Sequence, residues 1–192
     1  MLIHRGPYRA ALAALLLILF AACSAGAGSQ SANVPLAERV SVEGFSFQPP
    51  ASWKPEPPSS GMRLAQYRVD PAAGDTDAGE CALFHFPGTG GSVQANIDRW
   101  IGQFQQPDGS PSADHARVEH FTSEGLNISY VDVTGTYMGG MSGPGEPKPG
   151  YRMVAGVVEM PQGPWFMKCT GPAATMEGTA PGLRALLKSA RG

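Results

Sequence analysis

The sequence predicts an α+β fold, an antiparallel sheet of about six or seven strands with two helices packed on it. Three observations lead there. Short segments alternate apolar and polar residues or run apolar without a break, which is the period of a strand. Two other segments carry apolar stripes at helical spacing. Strands and helices do not alternate strictly, as the βαβ units of a parallel sheet would require. The 25 Gly and 18 Pro among 192 residues add that the elements are short and the turns many.

In chain order, Val40 to Phe47 alternates, with Phe45 and Phe47 two apart, and stops at Pro49-Pro50, so it reads as the first strand. The stretch from Pro49 to Pro58 is too rich in Pro to supply ladder donors, and it reads as a loop anchored by Trp53. Met62 to Val69 and Cys81 to Phe86 are the next strands. Ser92 is a good N-cap, and Val93, Ile97, Trp100, Ile101 and Phe104 fall on one face of a three-turn helix whose other face is polar. Strands follow at Arg117 to Thr122 and Leu126 to Tyr137, with a turn at Glu124-Gly125. Gly139 to Gly150 reads as an exposed loop, because Gly and Pro dominate it. Tyr151 to Met160 and Trp165 to Thr170 flank Pro161 to Pro164 as a hairpin. Leu183, Leu186, Leu187 and Ala190 mark a last helix with Pro181 in its first turn.

The N-terminus reads as an address. Arg5 and Arg9 precede an apolar run from Ala10 to Ala22 that ends at Cys23, a charged region followed by a short hydrophobic one. That run is too short for a permanent span of a bilayer core roughly 30 Å thick. Phe20-Ala21-Ala22-Cys23 resembles the lipobox of bacterial lipoproteins, with Phe20 standing where Leu is usual. The resemblance implies cleavage before Cys23, acylation of its sulfur and stable attachment to a membrane, since two or three acyl chains exceed the marginal hold of one. Ser24, a residue other than Asp after the Cys, implies by the same resemblance the outer membrane of the bacterial envelope, facing the periplasm. The alternative is an ordinary signal peptide cut near Ala22 or Ala25.

The domain plan is therefore a signal peptide over residues 1–22, a lipid-anchored tether of small polar residues over 23–37, and one α+β domain over 38–192. The formal charge of the chain is −2. Losing Arg5 and Arg9 with the leader takes the mature form to about −4, without the basic footprint of a nucleic-acid binder.

Once Cys23 is acylated, Cys81 and Cys169 are the remaining thiols. In an oxidising compartment they form either a disulfide or two separate buried thiols. His85, His115 and His120 have no metal-site spacing, and Met138 and Met141 are too few to make a copper site, so no cofactor or metal is expected. Asn127-Ile-Ser129 matches a glycosylation acceptor only formally. Gly88, Gly90, Gly91 and Ser92 open the first helix, where free N–H groups and the positive helix end suit a carboxylate or phosphate. The same residues also read as a tight strand-to-helix turn with a Ser cap, and Asn96 and Arg99 are its helical neighbours.

Phe45-Ser-Phe-Gln-Pro-Pro-Ala-Ser-Trp-Lys54, Met62-Arg-Leu-Ala-Gln-Tyr67, Gly90-Gly-Ser-Val-Gln-Ala-Asn-Ile-Asp-Arg-Trp100 and Gly163-Pro-Trp-Phe-Met-Lys-Cys-Thr-Gly-Pro172 resemble a group of uncharacterised bacterial exported lipoproteins. At greater distance the order of elements is similar to the PsbP-like fold, an antiparallel sheet sandwiched by helices. Neither resemblance transfers a function, but the fold hosts non-enzymatic accessory and assembly proteins, so a non-enzymatic interaction or accessory domain with an envelope protein partner is the first expectation. A small-ligand or anion-binding protein using the Gly-rich turn is the alternative, and a hydrolase with a site assembled from distant residues is the third.

Overall fold

The computed structural model describes residues 1–2, 33–88, 90–139 and 145–192, so most of the expected signal peptide, Cys23, Thr89 and Met141 lie outside the described residues. The fold below is that of the unit Ser31–Gly192. Its strands are β1 (Val40–Val42), β2 (Phe45–Phe47), β3 (Lys54–Glu56), β4 (Ala65–Val69), β5 (Gly79–His85), β6 (Phe104–Gln105), β7 (Arg117–Ser123), β8 (Leu126–Tyr137), β9 (Lys148–Val158) and β10 (Trp165–Pro172). Its helices are α1 (Val93–Ile101) and α2 (Ala173–Lys188).

The main sheet runs β3-β4-β5-β10-β9-β8-β6, with β7 also pairing β8, and every pairing is antiparallel. β8 is long enough to serve two partners, β7 over its first half and β6 at its end. β9 explains the layering. Met153, Ala155 and Val157 face α1, whereas Val154 and Val158 face α2, so both faces are buried and the strand reads as an unbroken apolar run. The fold class is the expected one, an antiparallel sheet with two helices packed on it.

Several boundaries differ from the sequence reading, each for a physical reason. The first strand is a hairpin, because Glu43 and Gly44 both take positive φ, 48° and 83°, in a tight turn between β1 and β2. Lys54–Glu56 pairs with β4 in spite of Pro55, since an edge strand need not donate outward. Phe104 leaves the helix: Gly102 caps α1, and Phe104 pairs with Tyr137 while staying in the same apolar cluster. β9 begins at Lys148, inside the segment read as a loop. α2 starts eight residues before Pro181 and keeps that proline and Gly182 in its interior. A Cβ at Gly182 would stand 2.8 Å from Cγ of Pro50, so glycine there lets the helix pack closely on the Pro49-Pro50 segment. Pro35 to Ala37, expected in the tether, are bonded to the domain through Ala37 N–H to Pro49 O at 2.8 Å and Ala51 N–H to Pro35 O at 2.9 Å.

Candidate functional site

α1 covers only the β8–β9 half of its face of the sheet, through Ile97, Trp100 and Ile101 packed on Val131, Val133, Met153 and Ala155. Over β5 and β10 that face stays open, and a cavity of about 540 Å³ lies there. One wall is α1 with Arg99, Trp100 and Gln103 just after its end; the other is the segment carrying Ser59, Met62 and Arg63.

The floor follows from register. Lys168 on β10 sits opposite Ala82 on β5 and Ala155 on β9, so a long cationic side chain is flanked by two methyl groups. One step along the strand direction, Phe166 sits opposite Phe84; one step the other way, Thr170 sits opposite Glu80. Small residues beside Lys168 leave the volume that larger ones would fill.

Lys168 donates from Nζ to Oε1 of Gln103 and lies 5.3 Å from the centre of the Tyr137 ring. Burial, and after it the positive charge of Arg99, pull its pKa down to about 8. Arg99 donates to Oδ1 of Asn96 at 2.6 Å. Among the described residues, neither Lys168 nor Arg99 has a carboxylate within salt-bridge distance. Arg63 does: it pairs with Glu80 at 2.8 Å, on the opposite wall. At the far end Lys148 lies 5.1 Å from the Tyr151 ring centre, and Tyr151 donates to Asp77 at 2.5 Å. Burial and then the bond to Asp77 push the Tyr151 phenol up to about 12, so it stays protonated at physiological pH. Glu80 is thus the one carboxylate among the residues lining the cavity, against Arg63, Arg99, Lys148 and Lys168.

The Gly-rich turn lies at the start of the same helix, and several of its groups are bonded locally. Gly88 and Gly91 take positive φ, 67° and 72°. Ser92 Oγ accepts from Ala95 N–H at 3.1 Å, and Gly90 N–H donates to Phe86 O at 3.1 Å. Asn96 Nδ2 reaches back to the carbonyls of Gly90 and Ser92 at 2.6 and 2.9 Å. The hollow beside the turn also contains Glu159, which places a carboxylate near the positive helix end. Arg99 lines the cavity and is tied to the turn through Asn96, whose Oδ1 it meets.

Cys81 and Cys169 are directly opposed on β5 and β10, and the structure joins them as a disulfide with Sγ atoms 2.05 Å apart. Both are fully buried on the α2 side of the sheet. His85 stacks on Trp165 with ring centres 4.2 Å apart, and His115 bonds Ser110 at 2.8 Å. His120 Nδ1 and Ser129 Oγ are 2.9 Å apart across β7 and β8. Ser129 is only 2% exposed, which suits an interstrand hydrogen bond rather than a nucleophile open to substrate.

No protein-family model matches the chain, and no curated protein does. Among solved structures it is similar to the solution structure of cyanobacterial PsbP (CyanoP) from Synechocystis sp. PCC 6803, at 9% identity and a TM-score of 0.49, over 82% of this chain and 92% of that one. It is similar to LpqN of Mycobacterium tuberculosis, described as involved in cell envelope biogenesis, at 10% identity and a TM-score of 0.48, over 80% and 88%. It is also similar to the protein of unknown function PA94 from Pseudomonas aeruginosa, at 8% identity and a TM-score of 0.45, over 81% and 95%. A PsbP protein is thus among the solved structures it resembles, and likenesses this distant carry no inference about ligand or activity.

The sequence reading singled out Arg99 but assigned it to the Gly-rich turn, and it passed over Lys168. A signal for Lys168 is present: a single charge inside Trp165-Phe-Met-Lys-Cys-Thr170, on the same strand face as Phe166. Arg63 and Glu80 carry no local signal at all.

Proposed function

We propose that the protein is a lipid-anchored lipoprotein of the bacterial envelope whose domain is a non-enzymatic binding module, and that the module takes a small anion in the cavity beside α1. The observation that carries this reading is the pair Lys168 and Arg99. Two cations face one open cavity: burial and the positive charge of Arg99 make the Lys168 ammonium costly, Arg99 itself is exposed, and neither has a carboxylate within salt-bridge distance among the described residues. A carboxylate, phosphate or sulfate group entering between them offsets that cost with charge-assisted hydrogen bonds. The anchor rests on Phe20 to Cys23, and the outer membrane on Ser24.

Equilibrium dialysis with labelled inorganic phosphate tests the cavity. Lys168→Gln and Arg99→Gln are each expected to weaken binding at least tenfold, the loss of one charged contact. Binding that neither change affects rejects the site. Membrane fractionation tests the anchor: Cys23→Ala is expected to release the protein from the membrane fraction, and unchanged fractionation with unchanged lipid labelling rejects it.

A further inference from the structure

We infer that the ligand is an anionic amphiphile, its charged head at Lys168 and Arg99 and its apolar portion along Phe84 and Phe86; this rests on the anion reading above. The cavity is polarised along the strands. On β5 the open face carries Glu80, Ala82 and Phe84, and Phe86 follows just past the strand end. From Ala82, which is level with Lys168, to Phe86 is four residues, a run of about 13 Å at the rise of an extended chain. All the charged groups lining the cavity lie at the Lys168 level or toward the Thr170 end, or enter from the side walls as Arg63 and Arg99 do. The Phe84–Phe86 end is walled by aromatic carbon: the rings of Phe84 and Phe86 are stacked at 6.3 Å, and Trp100 meets Phe166 edge-on at 5.8 Å.

This end is not sealed by the protein itself. Phe84 and Phe86 are only partly buried, and Met62 on the facing wall is 47% exposed, one of the few large apolar side chains exposed in the described domain. A bare inorganic anion would satisfy Lys168 and Arg99 and leave that apolar surface wet. An apolar chain continuing from the anionic group covers it, and its burial adds affinity without any further polar contact. Charge complementarity selects the head, because the lining offers four cations and one carboxylate.

The test compares three probes on the full chain held in phosphatidylcholine nanodiscs, with empty nanodiscs as the blank: octyl phosphate, inorganic phosphate and octanol. Octyl phosphate is expected to bind about a hundredfold more tightly than inorganic phosphate, the factor that three to four buried methylenes supply. Octanol is expected to bind more weakly than octyl phosphate by at least the factor lost in Lys168→Gln. Phe86→Ser and, separately, Met62→Ser should shrink the ratio between octyl phosphate and phosphate. Equal affinity for the two phosphates overturns the amphiphile and leaves the anion site standing. Octanol binding as tightly as octyl phosphate, or no binding of any probe, overturns both.

Discussion

Lys168 on β10 donates to the side chain of Gln103, 2.5 Å away, bridging the floor of the sheet and the residues that follow α1. This bond crosses the only open part of the face that α1 leaves uncovered among the described residues, and it sets where the ammonium stands. The amine is held by a neutral acceptor, and Glu80 and the Tyr137 ring offset its burial only in part. That condition makes Lys168 costly to the fold and useful to an anionic ligand.

The cost appears in stability. The unfolded chain holds the Lys168 proton up to its ordinary value of 10.5, whereas the folded chain loses it from about 8. Between those values the unfolded state binds more protons, so stability rises with pH across that window, and below about 8 the penalty is present in full. Lys168→Met is expected to raise unfolding stability at pH 7 by on the order of 1–3 kcal/mol and to remove the alkaline gain. Urea midpoints of both proteins at neutral pH and near pH 9.5 measure it; parallel pH slopes would contradict it.

Binding should run the opposite way. An anion needs the ammonium, so phosphate affinity is expected to fall as pH rises above about 8, while Arg99 keeps a residual attraction. Bound anion stabilises the protonated amine and moves the midpoint of that fall upward. Dialysis across this range reads both effects, and Lys168→Gln should flatten the profile.

The disulfide spans 88 residues of chain. By loop closure alone, removing it as Cys81→Ala with Cys169→Ala is expected to cost about 4–5 kcal/mol. The measurement is the urea midpoint with and without reductant, alongside the mass after alkylation. A mature-protein mass that reduction does not change relative to alkylation alone would show free thiols.

Gly156 sets how closely α2 lies on β9. A Cβ there would stand 2.5 Å from both Cδ1 and Cδ2 of Leu187, a side chain only 1% exposed, so neither methyl has room to retreat. Gly156→Ala is expected to destabilise by about 1–3 kcal/mol through overpacking. Combining it with Leu187→Val should cost less than the two changes added together, as residues in contact do. Strict additivity in thermal or urea unfolding would place the strain elsewhere.

The elements with a clear period were legible, and those bounded by long-range packing were not. The stripe from Val93 to Ile101 and the cap at Ser92 are local facts, and the helix forms there. α2 extends back to Ala173 through Gly178, because Thr175, Met176, Thr179 and Ala180 are buried against the domain, and that packing overrides weak local propensity. Lys54–Glu56 becomes a strand for a similar reason: β4 offers an edge, which no spacing within the Pro-rich segment reveals. The site was less legible than the fold. The Gly-rich turn has a local signature and carries the Ser92 cap that signature announces, whereas the cavity lined by Arg99 and Lys168 has no motif.

By itself the sequence determined the alternation that makes the strands, the stripes that make the helices and the glycine turn at Glu124-Gly125, because each depends on neighbours within a few residues. Only the tertiary structure decided that Lys168 would stand level with Ala82 and Ala155, that Arg99 would face it from α1, and that Cys81 would meet Cys169. Those meetings depend on cross-strand register and on where a helix stops covering a sheet. Both are settled by burying two apolar faces at once, and no short stretch of chain contains that balance.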